Sequence, residues 1–127
     1  MQCRPAPEGE EHVSRQGPSE RPIFYKAIER GNLLIAETSA RQMGRLSLVE
    51  SLALTALIAQ KDARRRSRVA ARWLLRYLET HDQATIEEAS LVASALAVLG
   101  GPGHDEAYAA LLALAKTGSR RRIGSPV

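Results

Sequence analysis

Ser47-Leu-Val-Glu-Ser-Leu-Ala-Leu-Thr-Ala-Leu-Ile-Ala-Gln-Lys-Asp62 runs directly into Ala63-Arg-Arg-Arg-Ser-Arg-Val-Ala-Ala-Arg-Trp-Leu-Leu-Arg-Tyr-Leu78, and these two stretches decide the fold. Ser47 and Glu50 have the spacing of a capping box: the serine oxygen accepts from the Glu50 amide, and the carboxylate reaches back to the serine amide. An apolar helix follows from Leu48. In the second stretch Arg64, Arg68, Arg72 and Arg76 stand four apart, which on a helix places them along one face. Ala70, Ala71, Trp73, Leu74, Tyr77 and Leu78 fill the opposite arc, so this is a strongly amphipathic helix with its aromatics turned to the core. Joined by Gln60-Lys-Asp62, the two stretches make a helical hairpin.

The arrangement recurs 38 residues later, where Thr85-Ile-Glu-Glu88 repeats the capping box. Laid over the first hairpin without a gap, the second sets Leu54 on Val92, Ile58 on Leu96, Val69 on Ala107 and Leu74 on Leu112. Its connection is Leu99-Gly-Gly-Pro-Gly-His104, and His104 or Asp105 is placed to cap the last helix. A period of this kind is that of stacked helix pairs in a solenoid, which stays open beside a simple array of hairpins.

Upstream, Pro22 suits a first helical turn, and Phe24, Ala27 and Ile28 form an apolar stripe that ends at Gly31. Asn32 then caps a second helix through Leu33, Leu34, Ala36 and Ala40 to Gly44. The segment Gly31-Asn-Leu-Leu-Ile-Ala-Glu-Thr-Ser-Ala40 resembles the turn and second helix of a tetratricopeptide-type repeat. That resemblance implies two helices paired across the Gly31 turn, with the alanines allowing close approach.

Hydrophobic residues make up 44% of the chain and aromatics only 4%, with Ala and Leu dominant, which favours packed helices over sheets. The expected fold is all-α, a compact array of five or six helices in antiparallel hairpins over residues 21–117. Residues 1–20, rich in Pro, Gly and charge, are expected to form a disordered arm, and 118–127 a flexible basic tail after a helix stop at Gly118. The core should draw on Phe24, Ile28, Leu33, Leu48, Leu52, Leu57, Ile58, Trp73, Leu74, Tyr77, Leu91, Leu96, Leu111 and Leu114.

Charge is distributed unevenly. The net charge is +4, but Lys61 to Leu78 alone carries seven basic residues against Asp62, or +6, so the remainder sums to 4 − 6 = −2. If Asp62 caps the arginine-rich helix, then Arg64, Arg65 and Arg66 crowd the positive end of its dipole, and something must neutralise them. The candidates are phosphate, an acidic partner, or the protein's own acids, Glu50, Glu79 and Glu88 among them.

Arg64, Arg65, Arg68, Arg72 and Arg76, with Arg120, Arg121 and Arg122 in the tail, are therefore the residues expected to meet a partner or phosphate. A helix-turn-helix reading fails on the glycine-free connection and on the absence of Asn or Gln to read base edges from the second helix. The glycines around Pro102 lack the Gly-Lys-Ser/Thr of a phosphate loop, and His12, His81 and His104 have no metal-ligand spacing, so neither cofactor nor metal is expected. Glu87 and Glu88 point about 100° apart, a poor acid and base pair, and no serine or threonine has a partnered histidine.

The expectation is thus a non-enzymatic helical interaction module that binds a protein or itself, with DNA or RNA backbone binding through the arginine face as the alternative. Cys3 is the single cysteine, and no apolar run approaches the length of a membrane span or a signal peptide, so a soluble cytoplasmic protein is expected.

Overall fold

The computed structural model describes residues 20–124, with side chains as far as 117. Among them are six α-helices and one short 3-10 turn, with no strand. They are α1 (Glu20–Arg30), α2 (Leu33–Met43), α3 (Leu48–Lys61), the 3-10 turn Ala63–Arg65, α4 (Arg66–Thr80), α5 (Ile86–Val98) and α6 (His104–Gly124). The all-α class is as the sequence implies. The chain divides between Leu46 and Ser47 into two units, a boundary inside the stretch 21–117 that the sequence presents as one helical domain.

In the first unit α1 and α2 pack as a hairpin, the pairing that the repeat-like resemblance implies. Gly31, at φ +71°, ends α1. Its amide bonds to the Ile28 carbonyl at 3.1 Å and that of Asn32 to Ala27 at 2.9 Å, the two bonds of a Schellman motif. Asn32 opens α2 at once, its side-chain oxygen accepting from the Ile35 amide at 3.2 Å.

In the second unit α3 packs on α4, α4 on α5, α5 on α6, and α6 back on α3. Four helices neighbouring one another in a closed ring are arranged as a bundle. An open stack of pairs would instead set α3 on α5 and α4 on α6 as the main contacts. The core has a three- and four-residue rhythm on every helix: Leu52, Ala56 and Ala59, then Trp73 and Tyr77, then Val92 and Leu96, then Ala107, Leu111 and Ala115. Leu91, expected in the core, is 54% exposed, because the buried stripe of α5 runs through Val92, Leu96 and on to Leu99.

Both helices of the second hairpin start 38 positions after their counterparts, Ile86 after Leu48 and His104 after Arg66. The capping boxes differ, however. Ser47 and Glu50 complete theirs, with bonds of 3.0 and 2.9 Å. Thr85 accepts from the Glu88 amide at 3.1 Å, but the Glu88 carboxylate takes the Tyr77 hydroxyl at 2.5 Å. Tyr77 is fully buried and its O–H needs an acceptor, so the expected second box is only half formed.

The C-terminal helix also departs from expectation. Instead of stopping at Gly118, α6 continues to Gly124. A glycine in a helix costs about 1 kcal/mol relative to alanine, and no proline follows until Pro126. No helix of the described residues is long and apolar enough to cross a membrane.

Candidate partner-binding face

Position 62 ends α3, and its carboxylate does not cap the next helix. It accepts from Arg65 Nε at 2.9 Å, and this hydrogen bond holds the Asp62 carboxyl below its usual range. The 3-10 turn delays the start of α4 to Arg66, so the expected crowding of three arginines in one helical first turn does not occur.

Arg66 turns inward. Its Nε donates to the Ala59 carbonyl at 3.1 Å, at the end of α3, and its Nη2 donates to the Gly100 carbonyl at 3.2 Å, just past α5. One guanidinium thus covers carbonyls at two helix C-termini, where the backbone is electron-rich and a cation is favoured. The Gly100 amide in turn donates to His104 Nδ1 at 2.8 Å, so the residues that open α4 and α6 hold the two sides of Gly100. His104 therefore grips the loop, and neither it nor Asp105 caps α6: the Ala107 amide bonds to the Gly103 carbonyl at 3.0 Å.

Of the expected contact residues, Arg64, Arg68 and Arg72 are exposed, and Arg65 and Arg76 are half-buried. Arg65 is held by Asp62, whereas Arg68 and Arg72 make no ion pair among the described residues. Glu50 serves its capping box and Glu88 accepts from Tyr77, and both carboxylates, like Arg65 and Arg76, have further interactions among the described residues. The backbones of Arg120, Arg121 and Arg122 lie on α6, and their side chains fall outside the described residues. His12 and Cys3 also lie outside them.

Each four-residue step along α4 advances about 40° around the axis, so the ladder winds across the helix. Its later members, Arg72 and Arg76, reach the side facing α3. There they border a groove of about 300 Å³ whose apolar lining is Leu54, Ile58, Val69 and Trp73. The opposite side of α4, facing α5, carries a wider groove of about 460 Å³ lined by small residues, Ala71, Ala93 and Ala97 among them. Its single charged lining residue is Arg66, which the carbonyls already hold.

The aromatics stay in the core. Trp73 and Tyr77 are 2% and 0% exposed, and Trp73 Nε1 donates to the Leu48 carbonyl at 3.1 Å. Tyr77 lies between Trp73 and His81, with ring centroids 5.5 and 4.3 Å apart. His81 is buried, with Nδ1 3.2 Å from the Tyr77 carbonyl and no partner for Nε2. The sequence marks no role for this histidine, since only the end of α4 folded against its neighbours buries it. No group of three potential metal-ligating side chains occurs among the described residues. No family model, curated protein or solved structure matches the chain.

Proposed function

We propose that the chain is a non-enzymatic helical interaction module that binds a protein partner through the outer face of α4. The observation that carries this reading is the position of Arg68 and Arg72: both are exposed, neither has an ion pair among the described residues, and Arg72 borders an apolar groove. A mixed apolar and cationic surface suits a protein that presents carboxylates beside apolar side chains. Self-association through this face would set like charges together, so the partner is a different chain. A cytoplasmic setting belongs to the same proposal and rests on the single cysteine.

Binding of a nucleic-acid backbone by Arg64, Arg68, Arg72 and Arg76 is the second reading, favoured by the rise of about 6 Å between successive rungs. Burial of Trp73 and Tyr77 weighs against it, because those rings offer bases no stacking surface. Fluorescence polarisation with duplex DNA, single strands and RNA over a salt series tests the choice, using the native chain and Arg68→Glu/Arg72→Glu. The protein-partner reading expects no affinity at moderate salt. Affinity that falls steeply with salt and disappears on charge reversal would move the conclusion to nucleic acid.

A further inference from the structure

We propose that a second copy of this chain docks on the face shared by α4 and α5, each copy setting exposed apolar side chains into the other's groove. This goes beyond the protein-partner reading, since it concerns the α5 side of α4. Helix α5 has 13 residues and only two charges, Glu87 and Glu88 in its first turn, yet just Val92 and Leu96 are buried. A helix that is apolar nearly all round is ordinarily covered nearly all round. The groove of about 460 Å³ runs beside it, from Ala63 and Ser67 near the start of α4 to Ala93 and Ala97 on α5. Past that groove, toward the end of α4 and the start of α5, stand Leu75 and Ile86, 59% and 82% exposed. The bonds from Tyr77 to Glu88 and from Arg66 to Gly100 fix the antiparallel register that puts these two at the same end.

Knobs at one end and a groove at the other make this face complementary to itself. A two-fold axis crossing the helices between Ala71 and Leu75 lays each helix antiparallel on its counterpart. It brings Leu75 over Ala71 of the second copy, and Ile86 over the groove mouth between Ser67 and Ala97. The same axis sets Glu79 level with Arg68 of the second copy, twice by symmetry. Both are exposed, and neither has an ion pair among the described residues. A contact centred on this groove therefore joins opposite charges, whereas one centred on the arginines joins like ones. Arg72, on the α3 side of the helix, stays outside it. The one charge lining the groove, Arg66, is already held by two carbonyls and needs nothing from the second copy. Two helices about 20 Å long and about 9 Å apart give a footprint at the low end of specific interfaces, so the dimer is a reversible one.

Sedimentation velocity of the full chain from about 5 to about 500 µM tests this, with a monomer that converts to a dimer as concentration rises as the expected result. Leu75→Ser and Ile86→Ser change side chains already exposed in one copy, so each should leave urea stability alone and weaken the dimer about tenfold. Ala97→Phe should weaken it as much by filling the groove mouth. Glu79→Arg and Arg68→Glu should each weaken it by setting like charges together, and an equimolar mixture of the two variants should dimerise again, a gain that loss of folding cannot produce. A chain that stays monomeric throughout would overturn the second copy as occupant. A dimer indifferent to Ile86→Ser, or a mixture no tighter than either charge variant alone, would overturn this arrangement. Dissociation of the dimer by a peptide of residues 1–19 would give the groove to that segment and overturn the proposal as well.

Discussion

Replacing Gly100 by alanine tests the most tightly determined point of the second unit. Gly100 has φ +88°, and a Cβ built there would lie 2.5 Å from the Ala59 carbonyl oxygen, 2.6 Å from Arg66 Nε and 2.8 Å from Arg66 Nη2. Forcing an alanine into this backbone region costs about 1–2 kcal/mol. The Ala59 oxygen belongs to the backbone of a buried helix and moves only with α3. The guanidinium must leave, and each hydrogen bond made by a charged group is worth about 1.5–3 kcal/mol, part of which water recovers because Arg66 is half-buried. Together these give a loss of about 3–6 kcal/mol, a large share of the roughly 5–15 kcal/mol of a small protein.

Gly103 is the internal control. Its φ is +86°, but a Cβ there meets only Val98 Cγ1 at 3.3 Å, so alanine should cost about 1–2 kcal/mol, mostly backbone strain. Urea unfolding followed by Trp73 fluorescence and far-ultraviolet circular dichroism measures both. In an Arg66→Met background the Gly100→Ala loss should shrink, because the displaced guanidinium is already gone, while the Ala59 contact persists. Equal losses at Gly100 and Gly103, or no coupling between positions 66 and 100, would refute the clamp.

The arginines should separate sharply in stability. Arg68→Glu/Arg72→Glu should stay within about 0.5 kcal/mol of the native chain in urea, whereas Arg66→Glu should unfold the second unit by placing a carboxylate against two carbonyls. Ser47→Ala should cost about 1 kcal/mol through the complete capping box, and Thr85→Ala less, because Glu88 is already engaged by Tyr77; paired urea curves compare them. Asp62 titrates below its usual 3.8, so its pairing with Arg65 contributes stability present above that value and lost as the pH falls through the lower folded one. Thermal melts of the native chain and Asp62→Asn should therefore converge as the pH drops below that window. Burial raises the Tyr108 hydroxyl above its usual 10.0, so stability is retained below that pH and lost above it, and Tyr108→Phe should abolish that alkaline loss in the same melts.

Helix placement was legible because it depends on local chemistry. Ser47, Asn32 and Gly31 act through neighbours within five residues, and the sequence shows those neighbours. The burial of Trp73 and Tyr77 followed from the arc they share on α4. What the sequence concealed were contacts made across the unit. Thr85-Ile-Glu-Glu88 matches a complete box as a string, but Tyr77, eleven residues earlier, claims the carboxylate. Helical spacing sorts Arg66 out of the ladder without saying where it goes, and its second partner, Gly100, is 34 residues away.

The arginine-rich stretch therefore contains two populations with different physical origins. Arg65 and Arg66 are fixed by the chain's own structure, one by Asp62 and the other by two helix ends, which accounts for cations at the start of α4 without any external ligand. That removes the crowding argument for a neutralising partner. It leaves a narrower argument, based on Arg68 and Arg72, whose charges serve no ion pair among the described residues. Because the ladder winds about 40° per step, the same helical geometry that spoils a straight track for phosphates carries Arg72 and Arg76 to the apolar groove beside α3. A basic face next to an apolar groove discriminates among partners in a way that a basic face alone does not, and this is the physical basis of the proposal of a protein partner over a nucleic-acid backbone.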